Sequence, residues 1–167
     1  MGLEIERKFL LPAYPASLIE AQEVQIEKEQ MIEQTYLAIA GDQELRVRKI
    51  KDLAQGLTEY THTFKRGHGI AREEVEYGIS AELYEQMIQT HQAIPLIKKR
   101  TTARFGDTRI EIDDYEQISL LVLEVEFATV EEAESFDPPE WFGRDISSAK
   151  EYSNKKVWKE LQQQKRG

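Results

Sequence analysis

Like-charged residues recur two apart in this sequence, among them Glu4 and Glu6, Arg46 and Arg48, Glu74 and Glu76, Lys98 and Arg100, and Glu124 and Glu126. Basic pairs suit phosphate, because Arg offers bidentate hydrogen bonds and Lys a compact charge. Clustered carboxylates without His or Cys suit a hard, oxygen-seeking cation, hence Mg²⁺ or Mn²⁺ rather than zinc. The chain has no cysteine, and His62, His68 and His91 follow no zinc-ligand spacing. Thiol catalysis, disulfides and thiolate metal sites are excluded. A polyphosphate carrying a divalent ion needs both acidic and basic partners at once.

The elements that must position these residues are mostly strands. Alternating patterns cover 2–10, 32–40, 43–50, 57–66, 71–79, 96–105, 107–115 and 119–128. Turn signals separate them at Gly41-Asp42, Gly67-His68-Gly69 and Gly106-Asp107. Helices are expected at 15–30, at 80–92 after Ser80, at 129–136 with Thr129 and Glu132 as a capping box, and at about 147–163. Strands joined by hairpins imply an antiparallel sheet with helices packed outside, an α+β class. No repeat or linker divides the chain, so residues 1–167 are read as a single domain.

A strand sends alternate side chains to opposite sides. Leu3, Ile5 and Phe9 oppose Glu4, Glu6 and Lys8. Leu45 and Val47 oppose Arg46 and Arg48. Ile97, Ala103 and Phe105 oppose Lys98, Arg100 and Arg104. Ile110 and Ile112 oppose Arg109, Glu111 and Asp113, while Leu121, Leu123, Val125 and Phe127 oppose Glu124 and Glu126. For any single strand, a charged face simply points at water. The set argues otherwise, since like charges two apart on one face repel unless opposite charge lies close. Closing the sheet into a barrel with its charged faces inward sets acids against bases and leaves an apolar exterior for helices to cover. Such an interior must be wet or filled by ligand.

These residues resemble the CYTH superfamily, the triphosphate tunnel metalloenzymes. Glu4-x-Glu6-x-Lys8 is followed in the same order by Gln34-x-Tyr36, Arg46-x-Arg48, Thr63-x-Lys65, Arg72-Glu73-Glu74-x-Glu76, Lys98-x-Arg100, Glu111-x-Asp113 and Glu124-x-Glu126. Gly143-Arg144-Asp145-Ile146-Ser147 and Tyr152-Ser153-Asn154 resemble its closing segment. The resemblance spans nearly the whole chain and implies a closed eight-stranded antiparallel tunnel barrel that hydrolyses or cyclises a triphosphate. It further implies metal binding by Glu4, Glu6, Asp113, Glu124 and Glu126, and phosphate binding by Lys8, Arg46, Arg48, Lys65, Lys98 and Arg100. Glu4, Glu6, Lys8 and Glu126 are the expected catalytic set, with Mg²⁺ or Mn²⁺ as cofactor. Glu74, Glu76 and Glu111 either join the metal ligands or hold basic side chains in place. Arg72, Arg104 and Arg109 extend the basic wall or lie near a tunnel mouth. Hydrolysis of tripolyphosphate or an organic or nucleoside triphosphate leads; a class IV-like adenylate cyclase, a thiamine triphosphatase and a non-catalytic polyphosphate or nucleotide sensor are the alternatives.

Other features are read as structural. His62 alternates out of phase with Thr63 and Lys65, so it belongs to packing or surface. Trp141-Phe142 and Trp158 are expected on the barrel exterior, and the acidic stretch from Glu27 to Glu33 at a solvated helix end. Lys150 and Lys155 are candidates to reach the tunnel from a C-terminal helix, but their spacing does not decide it. A net charge of −9 disfavours nucleic-acid binding. No run approaches the ~20 apolar residues of a membrane span, and Glu4, Glu6 and Lys8 interrupt any signal-peptide core. A cytoplasmic protein is expected, and the resemblance allows a homodimer.

Overall fold

The computed structural model describes residues 2–166, the side chains of 165 and 166 excepted. Among these residues the strands are β1 (Gly2–Leu10), β2 (Val24–Ala40), β3 (Gln43–Asp52), β4 (Thr58–Arg66), β5 (Ala71–Ile79), β6 (Leu96–Phe105), β7 (Thr108–Tyr115), β8 (Leu121–Glu126) and the two-residue β9 (Arg144–Asp145). The helices are α1 (Ala16–Glu20), α2 (Ala81–His91), α3 (Val130–Ser135) and α4 (Asn154–Arg166). The sheet runs β5-β4-β3-β2-β6-β7-β8-β1-β9, and an additional β5–β1 pairing closes it. Every adjacent pair is antiparallel. β1 makes the closure: Gly2–Ile5 pair with β5, and Glu6–Leu10 pair with β8. The result is an eight-stranded closed barrel with helices outside it.

One expected element is replaced. The helix anticipated at 15–30 stops at Glu20, Gln22 takes a left-handed φ of 61°, and the chain continues as a strand from Val24. The Glu-, Gln- and Lys-rich composition of 25–30 suits a helix, but pairing overrides it. Val24 to Gln34 pair with Phe105 to Leu96 on one edge, and Gln30 to Ala40 pair with Asp52 to Gln43 on the other. The Glu27–Glu33 stretch is therefore strand. Its acids meet neighbouring strands: Glu29 lies 3.6 Å from Lys99 and Glu33 lies 3.9 Å from Lys49.

The apolar core lies outside the barrel. Phe9, Leu11, Val24, Ala103, Ile110, Ile112, Leu123, Val125 and Phe142 form one buried cluster, with Leu18, Ile19, Phe136 and Trp141 packed against it. These strand residues hold the phase opposite the charged doublets. α2 and α3 fall where their caps place them: Ser80 accepts the Leu83 N–H and Thr129 accepts the Glu132 N–H, both at 3.1 Å. The C-terminal helix expected from about 147 starts only at Asn154, after a 3₁₀ turn at Lys150–Tyr152. His62 sits on the outer face, its ring nitrogen Nδ1 2.7 Å from the Tyr77 hydroxyl.

A second buried cluster closes one end of the barrel. It joins Leu96, Tyr115 and Val122 to Ile146, Val157 and Leu161, with Leu10 and Trp158 packed against it. Leu10, Leu96, Tyr115 and Val122 share the phase of Lys8, Lys98, Asp113 and Glu124, so the inward face changes from charged to apolar at this end. α4 presses Val157 and Leu161 into it. Trp158 belongs to this stopper rather than to the outer wall, with its ring 5.4 Å from that of the inward Tyr36. The closing segment is latched to β1 by hydrogen bonds from the Lys8 N–H to the Ser147 hydroxyl (2.9 Å) and from the Ile146 N–H to the Lys8 carbonyl (2.8 Å).

Gly143 makes that latch possible. Its φ is 84°, and a Cβ there would lie 2.2 Å from the Leu10 carbonyl oxygen. Gly143→Ala is expected to destabilise the protein by about 2 kcal/mol, combining left-handed strain with a backbone clash. A thermal melt checks this; an unchanged midpoint would show that the segment can be repositioned without cost.

Candidate active site

The inward faces bring the charged residues into one lumen. Lys65 Nζ lies 2.8 Å from Glu4 and 3.3 Å from Glu74. Arg48 meets Glu76 at 2.7 Å, and the Thr63 hydroxyl donates to the same carboxylate oxygen at 2.8 Å. Lys8 Nζ is 3.7 Å from Glu124. Three of these contacts join direct cross-strand partners, Lys65 with Glu74, Thr63 with Glu76 and Lys8 with Glu124, while Lys65–Glu4 and Arg48–Glu76 each reach past one intervening strand.

Of the five carboxylates expected at a metal, three converge. Glu4, Glu6 and Glu126 each present an oxygen within 4.8 Å of the others. All three lie toward the end away from α4, and their donor set is oxygen only, which fits a hard divalent cation. Asp113 is fully buried and has both oxygens taken. Lys98 Nζ donates to Oδ2 at 2.8 Å, while Arg100 donates from Nε to Oδ1 at 2.7 Å and from a terminal nitrogen to Oδ2 at 2.8 Å. Glu124 lies against Lys8 and Arg100, each 3.7 Å away. Asp113 and Glu124 thus stand outside the converging trio. Glu74, Glu76 and Glu111 contact Lys65, Arg48 and Arg100 respectively, which is the holding arrangement.

The titration of these groups follows from their company. Burial raises Glu6, and the neighbouring Glu124 and Glu4 charges add to it, so its carboxyl is pushed up to about 8. Burial and the charges of Glu4 and Glu124 likewise raise Glu126. Burial opposes ionisation of Glu4 as well, but the Lys65 ammonium and hydrogen bonds from Glu74 and Lys65 outweigh it, bringing Glu4 down to about 2. Lys98 falls to about 8, because burial outweighs its attraction to Asp113. A trio that holds one carboxyl protonated in the absence of a cation is short of positive charge.

The basic side keeps unsatisfied donors. Arg46 is only 5% exposed. Among the described residues no carboxylate forms an ion pair with it, and the Nε atoms of Arg46, Arg48 and Arg72 are buried without acceptors. Buried guanidinium donors without partners are costly, and an anion would satisfy them. The trio therefore suits a cation, and the Arg46 guanidinium an anion.

Some lining residues carried weaker sequence signals. Glu44 is buried opposite Arg72 at 3.3 Å and Lys155 at 3.9 Å. It shares the phase of Arg46 and Arg48, but its lone acidic charge made no doublet. The Tyr115 hydroxyl donates to Asn154 Oδ1, joining β7 to the stopper. Lys155 thus reaches the lumen's closed end, whereas Lys150 is exposed on a 3₁₀ turn.

The CYTH domain family model matches residues 2–159. An inorganic triphosphatase of Nitrosomonas europaea is 33% identical over 156 residues, covering 91% of this chain and 94% of that protein. An inorganic triphosphatase of Acetivibrio thermocellus is 28% identical over 164 residues, covering 95% of each. The crystal structure of the inorganic triphosphatase NE1496 superposes with a TM-score of 0.62 at 29% identity, covering 95% of both chains.

Two substitutions separate the trio from Asp113. Glu126→Gln is expected to weaken Mn²⁺ binding at least tenfold in a calorimetric titration while leaving the melting midpoint in place. Asp113→Asn leaves Lys98 and Arg100 buried without their counter-charge and is expected to cost about 3–5 kcal/mol in urea unfolding. A stable Asp113→Asn protein would contradict the structural role given to that residue.

Proposed function

This chain belongs to the CYTH domain family, and we propose that it is a metal-dependent triphosphatase, cleaving a phosphoanhydride bond of inorganic tripolyphosphate or another triphosphate. The observation that carries this reading is the pairing of two features in one lumen: three convergent carboxylates, and a buried arginine that has no carboxylate within ion-pair distance among the described residues. A triphosphate entering with a divalent cation satisfies both.

Arg46, Arg48, Lys65 and Arg100, with Lys8 and Lys98, hold the phosphate oxygens in this account. Glu74, Glu76, Glu111 and Asp113 keep those bases extended into the lumen. Glu4, Glu6 and Glu126 would hold Mg²⁺ or Mn²⁺, which supplies Lewis-acid polarisation of phosphate oxygens and acidifies bound water. Water attacks the terminal phosphorus in line with the bridging oxygen; the new P–O bond forms as the bridging bond breaks, leaving diphosphate and phosphate. The guanidinium and ammonium groups stabilise the negative charge that gathers on the departing bridging oxygen. No described helix is long and apolar enough to cross a membrane, and we place the activity in the cytoplasm, where the absence of cysteine is unremarkable.

The test incubates the protein with Mg²⁺ or Mn²⁺ and, separately, tripolyphosphate, ATP and thiamine triphosphate. Phosphate and diphosphate from tripolyphosphate are expected, lost on adding EDTA and in Glu4→Gln and Glu126→Gln. Cyclic AMP with diphosphate from ATP would overturn the hydrolase reading in favour of cyclisation.

A pH prediction follows from Glu6. Its folded-state value of about 8 lies above the ordinary 4.5, so the metal-free fold holds this proton more tightly than the unfolded chain. Its contribution to stability is present below pH about 4.5 and is lost as pH rises toward 8. Cation binding must displace the proton, so affinity should climb with pH and level off above about 8. Titrations in buffers of different ionisation enthalpy should detect proton release near pH 6.5 and little near pH 9; identical heats in all buffers at pH 6.5 would exclude Glu6 as a ligand.

A further inference from the structure

Beyond the carboxylate trio, β6 and β7 continue to the open end of the barrel. Their last inward-phase residues are Arg104 and Arg109, which are direct cross-strand partners. Like charges directly opposite on one sheet face repel. Glu27 is the carboxylate near both, 3.8 Å from Arg104 and 3.6 Å from Arg109, whose side chains are 46% and 65% exposed. Exposed pairs at such distances contribute little, and among the described residues no other carboxylate lies within ion-pair distance of either guanidinium.

The position of this pair is fixed by register. Arg100 faces Asp113, Thr102 faces Glu111 and Arg104 faces Arg109, so the two arginines prolong the lumen's inner face. Glu111 faces Glu124 across β7 and β8; two residues further out, Arg109 comes level with Glu126. The pair therefore borders the trio on the side toward solvent. At the opposite end Leu10, Leu96, Tyr115, Val122, Val157 and Leu161 block the passage. A phosphate chain can enter a lumen of this shape only end first, and any excess length extends toward the open end, where Arg104 and Arg109 stand. Four strand residues separate Arg100 from Arg104, about 13 Å, more than three phosphates span.

We propose that Arg104 and Arg109 form an outer anion site for the trailing phosphates of a linear polyphosphate longer than three units, whose terminal phosphates occupy the lumen. The inference rests on the lumen being the triphosphate site. It makes chain length, read at the open end, a determinant of affinity.

Calorimetric titration in EDTA, where nothing should be hydrolysed, tests it with tripolyphosphate and a long linear polyphosphate as probes. The whole chain is compared with its Arg104→Gln/Arg109→Gln variant, each checked by thermal melt. The unaltered protein should bind the long chain more tightly, at equal concentration of chain ends. The variant should lose that preference through a rise of roughly five- to tenfold in Kd for the long chain, the scale of one or two exposed charge-assisted hydrogen bonds. The Kd for tripolyphosphate should move much less. Equal weakening of both ligands would reduce the pair to a diffuse positive field, and no change in either would remove the site; both results overturn the proposal. Hydrolysis of tripolyphosphate without any chain-length effect sinks this inference and leaves the triphosphatase reading standing. A chain-length effect without hydrolysis of any triphosphate does the reverse.

Discussion

Charge that cannot reach bulk water must be matched by charge, and this constraint organises the whole molecule. Most soluble barrels keep apolar side chains inside; here the phase is reversed, and the apolar faces look outward to α1, α3 and the Trp141-Phe142 segment. Turning the doublets inward is tolerable only because acids and bases come from different strands. Asp113 on β7 answers Lys98 and Arg100 on β6, Glu76 on β5 answers Arg48 on β3, and Glu4 on β1 answers Lys65 on β4. Ion pairs this deeply placed are poor sources of stability. Their value is a fixed arrangement of charge before any ligand arrives, which is what electrostatic catalysis requires.

The matching is incomplete in a patterned way. Where acids outnumber bases, at Glu4, Glu6 and Glu126, a proton on Glu6 fills the gap. At Arg46 the charges of Glu44, Glu4 and Glu76 act only from beyond ion-pair distance, and its Nε is left without an acceptor among the described residues. These two places lie in one enclosure, and the apolar stopper at α4 gives that enclosure a bottom. Fold and site are therefore hard to separate: Gly143 and Ser147 anchor the segment that carries the stopper, and Tyr115 links the stopper to the same strand that bears Asp113.

Much of this was legible from alternation alone. The doublets named the inward face, and hairpin turns between short alternating runs named an antiparallel sheet. Three matters were not legible, for different reasons. Residues 24–30 have helix-like composition, and only pairing with β6 and β3 makes them strand. Asp113 looks like any other inward carboxylate until cross-strand register puts Arg100 directly opposite it and Lys98 within reach of its second oxygen. Trp158 reads as exterior packing because nothing local to α4 says that the helix turns onto the barrel's end. The clue lay elsewhere, in the switch from charged to apolar at Leu10, Leu96, Tyr115 and Val122, four inward positions at one end.

Diffraction from crystals soaked with Mn²⁺, using the ion's anomalous scattering to locate it, tests the central claim most directly. The account predicts an anomalous peak inside the barrel, within coordination distance of carboxylate oxygens from Glu4, Glu6 and Glu126. A peak only on the outer surface, with the trio unligated at full Mn²⁺ occupancy, would contradict it.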